Sequence, residues 1–393
     1  MKQVGLLLVL TLATMPSWGA KKVTVAELKD TLITMHQAKK SDAEVAGVLK
    51  QLELSEELTR STMNSVVADL PGPLSTEQIY VLEASSANLA PPPSDIPGTA
   101  APDAAAQKAM LDKAADYVSK TYSALPGLAA TKTTVRFQDN TEAAPQSGGL
   151  HSGATDATVG SSFSSSHEFV HYINSTDIHV ASEHGAEKLP AEKDKTPWGV
   201  NRMIALQMPD PSLGTVFPEA QAAGDIKFIR WETVNGIQAG VFSFAVPKKK
   251  THFPINVCCF PNVDQAGMVT MPSPSGISSG ASRARGNFQT NTDWSEYKAT
   301  APYHGELFID PASGAVIRMI TMADLKASEV VHRVDERIDY GPVTIGGKML
   351  MVPLRTIIDT EVVPSGDSGL AGKYTTRRTL FTSEYKDYQV AGQ

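Results

Sequence analysis

Val330-Val331-His332-Arg333-Val334-Asp335-Glu336-Arg337-Ile338-Asp339-Tyr340 is the stretch that decides how this chain folds. Val330, His332, Val334, Glu336, Ile338 and Tyr340 fall on one side of an extended backbone; Val331, Arg333, Asp335, Arg337 and Asp339 fall on the other. A period of two is the signature of a strand. Because the second side is nearly all charged, the expectation is an antiparallel sheet with one face in solvent.

The same rhythm continues outward. Ile345-Gly346-Gly347-Lys348 reads as a turn into Met349–Asp359, and Lys373–Tyr388 as a last strand pair. Upstream, Tyr303–Ile309 and Ala315–Thr321 flank Asp310-Pro311-Ala312-Ser313-Gly314, a turn with Asp to cap and Gly for positive φ. Phe228–Thr233 and Gln238–Val246 form a hairpin about Asn235-Gly236. Lys248–Lys250 is a solvated turn into His252–Cys259. Thr133–Gln138 is a strand, and Phe169–Ile173 with Ile178–Ala181 read as a hairpin around Asn174-Ser175-Thr176. These eight to ten antiparallel strands predict a large curved sheet, either a half-barrel or a partly closed barrel. Residues 261–293, rich in Ser, Gly, Pro and Asn, form a long loop of the functional or disordered kind.

Before the strands the period is helical. Thr24 with Glu27, Ser41 with Glu44, and Ser75 with Gln78 fit the capping box. Behind these caps Val25, Leu28, Leu32 and Met35 form one stripe, and Val45, Val48, Leu49 and Leu52 a second. Leu58, Val66, Val67 and Leu70 form a third, stopped by Pro71-Gly72-Pro73, and Ile79, Leu82 and Leu89 mark a fourth. A further helix begins near Pro102, carries Met110, Leu111, Ala114, Tyr117, Val118 and Tyr122 on one side, and is expected to lie on the sheet. The fold class is therefore α+β: a small helical bundle over 20–89, a proline-rich connector over 90–103, and a helix plus antiparallel sheet over 104–393.

Residues 1–19 have the three parts of a cleavable leader: Lys2, the apolar run Val4–Leu12, and Ser17-Trp18-Gly19 before Ala20. The apolar run is short of the about 20 residues a spanning helix needs, and no later segment reaches that length. Export to the periplasm or beyond is the expectation, with an uncleaved anchor as the alternative. Without the leader the chain carries 34 basic against 42 acidic residues. That balance argues against nucleic acid or an anionic membrane surface as the main partner.

His167-Glu168-Phe169-Val170-His171 matches the zinc-protease pattern, in which both imidazoles share one metal and the glutamate is general base. On a helix four residues advance about 6 Å, which suits one ion; on a strand they advance about 13 Å, which does not. Phe169, Val170, Tyr172 and Ile173 are aromatic or β-branched, so the strand is favoured and His167, Glu168 and His171 are disfavoured as a site. His179, Glu183, His184 and Glu187 are the third-ligand candidates. Cys258 and Cys259, adjacent on a strand, either point to opposite faces or close a vicinal disulfide; a metal or redox pair is the remaining alternative. His252, His304 and His332 sit in strand patterns, with His304 and Glu306 on one strand face.

Tyr303-His304-Gly305-Glu306-Leu307-Phe308-Ile309-Asp310-Pro311 with Gly314 and Arg318, and Asp339-Tyr340-Gly341-Pro342-Val343 with Ile345–Lys348, resemble a family of uncharacterised exported bacterial proteins. Ser41–Val45, Leu70–Pro73 and Ala90–Pro92 resemble the same family, so the likeness covers most of the chain. The strand rhythm and the Asp-Pro-x-x-Gly turn are also similar to the periplasmic lipoprotein-carrier half-barrels, in which Asp310 and Gly314 correspond to turn residues only. That likeness implies a curved sheet around an apolar cavity. The reading this supports is a binding or carrier module of the cell envelope, more a non-enzyme than an enzyme, with no cofactor. Its expected ligand is an apolar small molecule or lipid. A structural or protein-interaction role with an envelope partner is the alternative, and a zinc hydrolase the second.

Overall fold

The computed structural model describes residues 20–139, 169–188, 205–206, 212–261, 294–326, 329, 331–362 and 377–391. Residues 1–19 lie outside them, as do His167, Glu168 and residues 262–293. The chain opens with β1 (Lys21–Val23), α1 (Val25–Gln37), α2 (Asp42–Leu49), β2 (Leu52–Leu54), α3 (Arg60–Val67) and α4 (Pro73–Ser86). Next come α5 (Ala104–Asp116), extended by a π-helical turn over Tyr117–Tyr122, then β3 (Leu128–Gln138), β4 (His171–Glu183), β5 (Ala186–Lys188) and β6 (Ala205–Leu206). After α6 (Leu213–Ala223) come β7 (Lys227–Val234), β8 (Ile237–Val246), β9 (Pro254–Pro261), β10 (Trp294–Thr300), β11 (Tyr303–Ile309) and β12 (Val316–Ala323). The last strands are β13 (Val331–Ile345), β14 (Lys348–Val362) and β15 (Arg377–Val390).

Ten strands form one antiparallel sheet in the order β5-β4-β3-β15-β14-β13-β12-β11-β8-β7. It does not close into a barrel: β5 and β7 stand at separate edges. Each edge is blunted in a way that replaces closure. β5 is only three residues long, and beside β7 the proline-rich connector is tied down, Trp231 Nε1 donating to the Ala100 carbonyl at 2.9 Å. β1 pairs with β2 in parallel, and β9 runs between β10 and β6.

One face of the sheet carries α5 and α6. Met110, Ala114, Val118 and Tyr122 join Leu213, Val216, Phe217 and Ala220 over Phe242, Phe244, Leu307, Met319, Ile338 and Tyr340. The expected sheet-packed helix is there, with Asp103 as N-cap. α6 carries no expectation from the sequence reading. Ser212 caps its start and Gly224, at φ 78°, ends it, while Pro218 in its middle obscures the pattern.

The opposite face corrects the reading of 330–340. Its charged side is mostly covered, although Arg333 stays partly in solvent. Arg337 is 4% exposed and Asp339 9%, because the N-terminal helices lie over them. Arg337 Nη1 donates to Glu57 at 2.6 Å and to the Ala87 carbonyl at 2.8 Å, and Arg355 makes a two-pronged contact with Glu83 at 2.5 and 2.6 Å. Apolar contact accompanies these pairs, Val81, Ala84 and Ala87 meeting Phe137, Ile357 and Leu380. α4 thus has two buried sides, since Ile79 and Leu82 belong to the core of the helical layer itself. Burying such charges is tolerated only because each guanidinium meets a carboxylate.

Within that layer the capping boxes of Thr24–Glu27 and Ser41–Glu44 both form. Ser75 does not cap. α4 starts at Pro73, and its first amides are satisfied by Asp42 of α2, which accepts from Leu74 N at 3.0 Å and Ser75 N at 2.8 Å. Leu52 lies on β2 rather than at the end of a helix. The hairpin expected at Asn174-Ser175-Thr176 is also absent. Those residues continue β4, paired with Arg136, Val135 and Thr134 of β3, and the chain turns instead at His184-Gly185. The β7–β8 turn at Asn235-Gly236 forms as expected, with φ of 50° and 81°.

Candidate functional site

A regular strand sends residues three apart to opposite faces. β15 breaks that rule near its end. Its register against β3 shifts between Lys386 and Gln389, and Asp387 between them holds φ 54°, a left-handed value unusual outside glycine. The bulge turns Tyr388 onto the α5 side with Tyr385. The two rings stack, centroids 6.5 Å apart and planes 22° from parallel, and both line one cleft.

The cleft lies between the sheet, the π-helical turn of α5 and the β4–β5 turn. Tyr122, Tyr385 and Tyr388 supply its rings; Leu125, Leu128, Val180, Ile338, Val352 and Pro353 its apolar walls; Ser182, Ser212 and Glu187 its polar groups. The three phenols are anchored. Tyr122 donates to the Gly185 carbonyl at 2.6 Å, Tyr388 to the Pro353 carbonyl at 2.6 Å, and Tyr385 to Glu187 Oε2 at 2.9 Å. Glu187 also pairs with Lys132 at 3.0 Å, and the Lys132 ammonium sits 5.2 Å from the Tyr385 ring centroid.

Gly185 is demanded by this arrangement. Its φ is 76°, and a Cβ there would stand 2.3 Å from Tyr122 Cζ. The β4–β5 turn is thereby pressed onto the ring, and His184 Nδ1 lies 3.1 Å from the Ser123 carbonyl. The space beneath the turn is about 30 Å³, far short of the about 300 Å³ or more of an ordinary small-molecule site. With the turn down it has room for about two waters, and a larger guest requires the turn to lift.

The same sheet face stays polar beyond Tyr385. Thr356, Ser383, Thr134 and Thr176 are successive cross-strand partners, and the Thr134 and Ser383 hydroxyls lie 2.9 Å apart. Thr356, Ser383 and Thr134 are buried.

The charged face beneath the helices gathers a second set of titratable groups. Arg318 bridges Glu232 at 3.2 Å and Asp339 at 2.6 Å, and Arg230 grips Glu306 at 3.0 and 2.7 Å. Burial opposes the charge of Asp339, but Arg318 and Arg337 beside it hold its carboxyl well below the usual carboxylate range. Burial, then the neighbouring Glu57, raises Glu232. Asp335 is pushed up to about 7 by burial and by Asp359, its cross-strand partner, against the pull of Arg333.

The residues singled out from sequence end up dispersed. His171 opens β4, with Nδ1 2.9 Å from the Phe169 carbonyl. His179 lies eight residues along the same strand, about 26 Å away at strand rise, Glu183 pairs with Lys188, and Glu187 belongs to the tyrosine cleft. His304 pairs with Asp324 at 2.8 Å rather than with Glu306. His252 is held by Glu219, which also accepts from the Tyr303 hydroxyl at 2.8 Å. Cys258 and Cys259 are on β9, with side chains outside the described residues. Among the described residues no three His, Cys, Asp or Glu side chains converge as a metal site, and no helix is long and apolar enough to cross a membrane.

Tyr388 and Gly185 were not legible beforehand. The only local signal is Asp387 in a Tyr-x-x-Tyr spacing that no regular strand would put on one face. Comparison with protein-family models, with curated proteins and with solved structures finds no match to this chain.

Proposed function

We propose that this protein is an exported binding module of the bacterial envelope, periplasmic or secreted, that takes a small ring-bearing ligand in the tyrosine cleft. The observation that carries the reading is the β15 bulge. A non-glycine residue held at φ 54° is a cost the fold bears, and its effect is to bring Tyr388 beside Tyr385 over a concave surface. The small volume under the closed turn supports a compact guest over an acyl chain. Entry then proceeds by lifting the three-residue β5 edge and its turn, held by Tyr122 and His184, while the sheet behind stays rigid.

Native mass spectrometry of wild type and Tyr388→Ala, purified from the envelope fraction, tests this. The expected result is a small molecule retained by the wild type and lost by the variant, on a chain beginning at Ala20. A wild type that arrives empty and takes up none of a panel of apolar and polar small molecules overturns the binding role, and a chain retaining residues 1–19 overturns cleavage of the leader.

A further inference from the structure

Resting on cleavage before Ala20, we infer that the α-ammonium so created binds in a second cavity and pins the new chain end to the joint between helices and sheet. That cavity, of about 170 Å³, lies between the two layers. Leu49 of α2, Leu52 of β2 and Leu82 of α4 wall one side; Val170, and Arg378 of β15, wall the other. Ala20 is on its lining. The place of Ala20 is set by its neighbours, since Lys21 N donates to the Gln51 carbonyl at 2.8 Å and Lys21–Val23 pair in register with Leu52–Leu54. The parallel β1–β2 pair thus delivers to the cavity the nitrogen that cleavage frees. While the leader is attached, that nitrogen is a neutral amide with one proton. Once cut, it is a cation with three donors.

The cavity offers what an ammonium needs. Gln78 of α4 is 2% exposed, and its Nε2 donates to Glu77 at 3.3 Å. Its Oε1 accepts no hydrogen bond among the described residues, yet is not shut away from solvent. Glu53 of β2, also on the lining, accepts none among the described residues and stands 3.9 Å from Lys22, too far for one. An amide oxygen and a carboxylate together suit a compact cation with several donors. The other charges at the cavity are Lys50 after α2, Asp139 after β3 and Arg378, with Lys21 and Lys22 adjoining on β1. Arg378 is already matched, giving Nε and Nη2 to Asp359, so it does not compete for Glu53. A free cation from solution is the weaker occupant, because Ala20 is tethered beside the site and meets it at a high effective concentration.

The test uses a chain beginning at Ala20, the same chain with Gly-Ser placed ahead of Ala20, and the variants Glu53→Gln and Gln78→Leu of the first. Carbon-13 shifts of alanine-labelled protein, with the first residue assigned by Ala20→Ser, read the titration of its amine. An ordinary α-amine titrates at about 8. The Ala20 amine is expected about one unit higher, a proton held about tenfold more tightly, and each variant should return about half of that shift or more. Because the folded state holds the proton more tightly, the docked end adds stability below about pH 8 and loses it as pH rises past about 9. In the extended chain, amide exchange over 21–23 and 52–54 should be several-fold faster at pH 7. A midpoint near 8 that neither variant moves, or an extended chain that exchanges no faster, overturns the docking. Retention of residues 1–19 in protein from the envelope overturns cleavage instead, and chains made to begin at Ala20 answer the docking whichever way that falls.

Discussion

Glu83→Gln is the sharpest perturbation of the joint between the helical layer and the sheet. Glu83 lies on α4 and Arg355 on β14, 272 residues later, and the two make parallel bonds of 2.5 and 2.6 Å. Both are nearly dry, at 3% and 7% exposure. Glutamine keeps the shape and one acceptor but leaves the guanidinium without its counter-charge, with Arg337 close by. Removing one partner of a buried pair costs about 3–5 kcal/mol, whereas replacing both with apolar residues is close to neutral. Urea unfolding followed by circular dichroism should therefore show Glu83→Gln destabilised by about 3 kcal/mol or more, and Glu83→Leu with Arg355→Met recovering most of that loss. Hydrogen exchange should quicken across residues 73–86 in the single variant. A loss under about 1 kcal/mol, or a double variant worse than the single one, refutes the view that these charges are buried and mutually dependent.

Asp335 makes stability fall as pH rises. Its carboxyl ionises at about 7 when folded against about 3.8 when not, so between those values the unfolded chain holds fewer protons and is favoured as pH climbs. The full penalty, on the order of 4 kcal/mol, is present above pH 7. Asp335→Asn should stabilise the protein at pH 8 by about 2 kcal/mol or more and change little at pH 4; equal unfolding midpoints at pH 8 would contradict this. Gly185→Ala, with its Cβ driven into Tyr122, should cost about 2 kcal/mol and speed amide exchange over 183–188, and unchanged exchange there would disprove the clamp. At the bulge, Asp387→Gly should gain up to about 1 kcal/mol while Asp387→Val loses more than that, the reverse order showing that the left-handed φ is not real.

Much of the sheet was legible because its signals are local. The alternation of 330–340, the Asn235-Gly236 turn and the Asp310–Gly314 turn each act within a dozen residues, and all lie where they were expected. What escaped depends on distant partners. Nothing near Arg337 announces that Glu57, 280 positions earlier, will cover it, so a charged face reads as a wet one. Asn174-Ser175-Thr176 has turn composition but is held straight by pairing to β3. Ser75 matches a capping box, yet Asp42 on another helix reaches its amide first. The candidate cleft was the least visible. It is assembled by a bulge that shifts the period by one residue, and by a glycine whose role exists only once Tyr122 is beside it.

The claim on which the account rests is that the ligand sits between Tyr122, Tyr385 and Tyr388. Tyrosine-labelled protein titrated with a bound ligand reads this directly through ring resonances assigned by single Tyr→Phe variants. Movement of those three, with Tyr80 and Tyr172 unmoved, is the result predicted. Movement confined to Tyr80, Tyr172 or other rings away from the β4–β5 turn would contradict it.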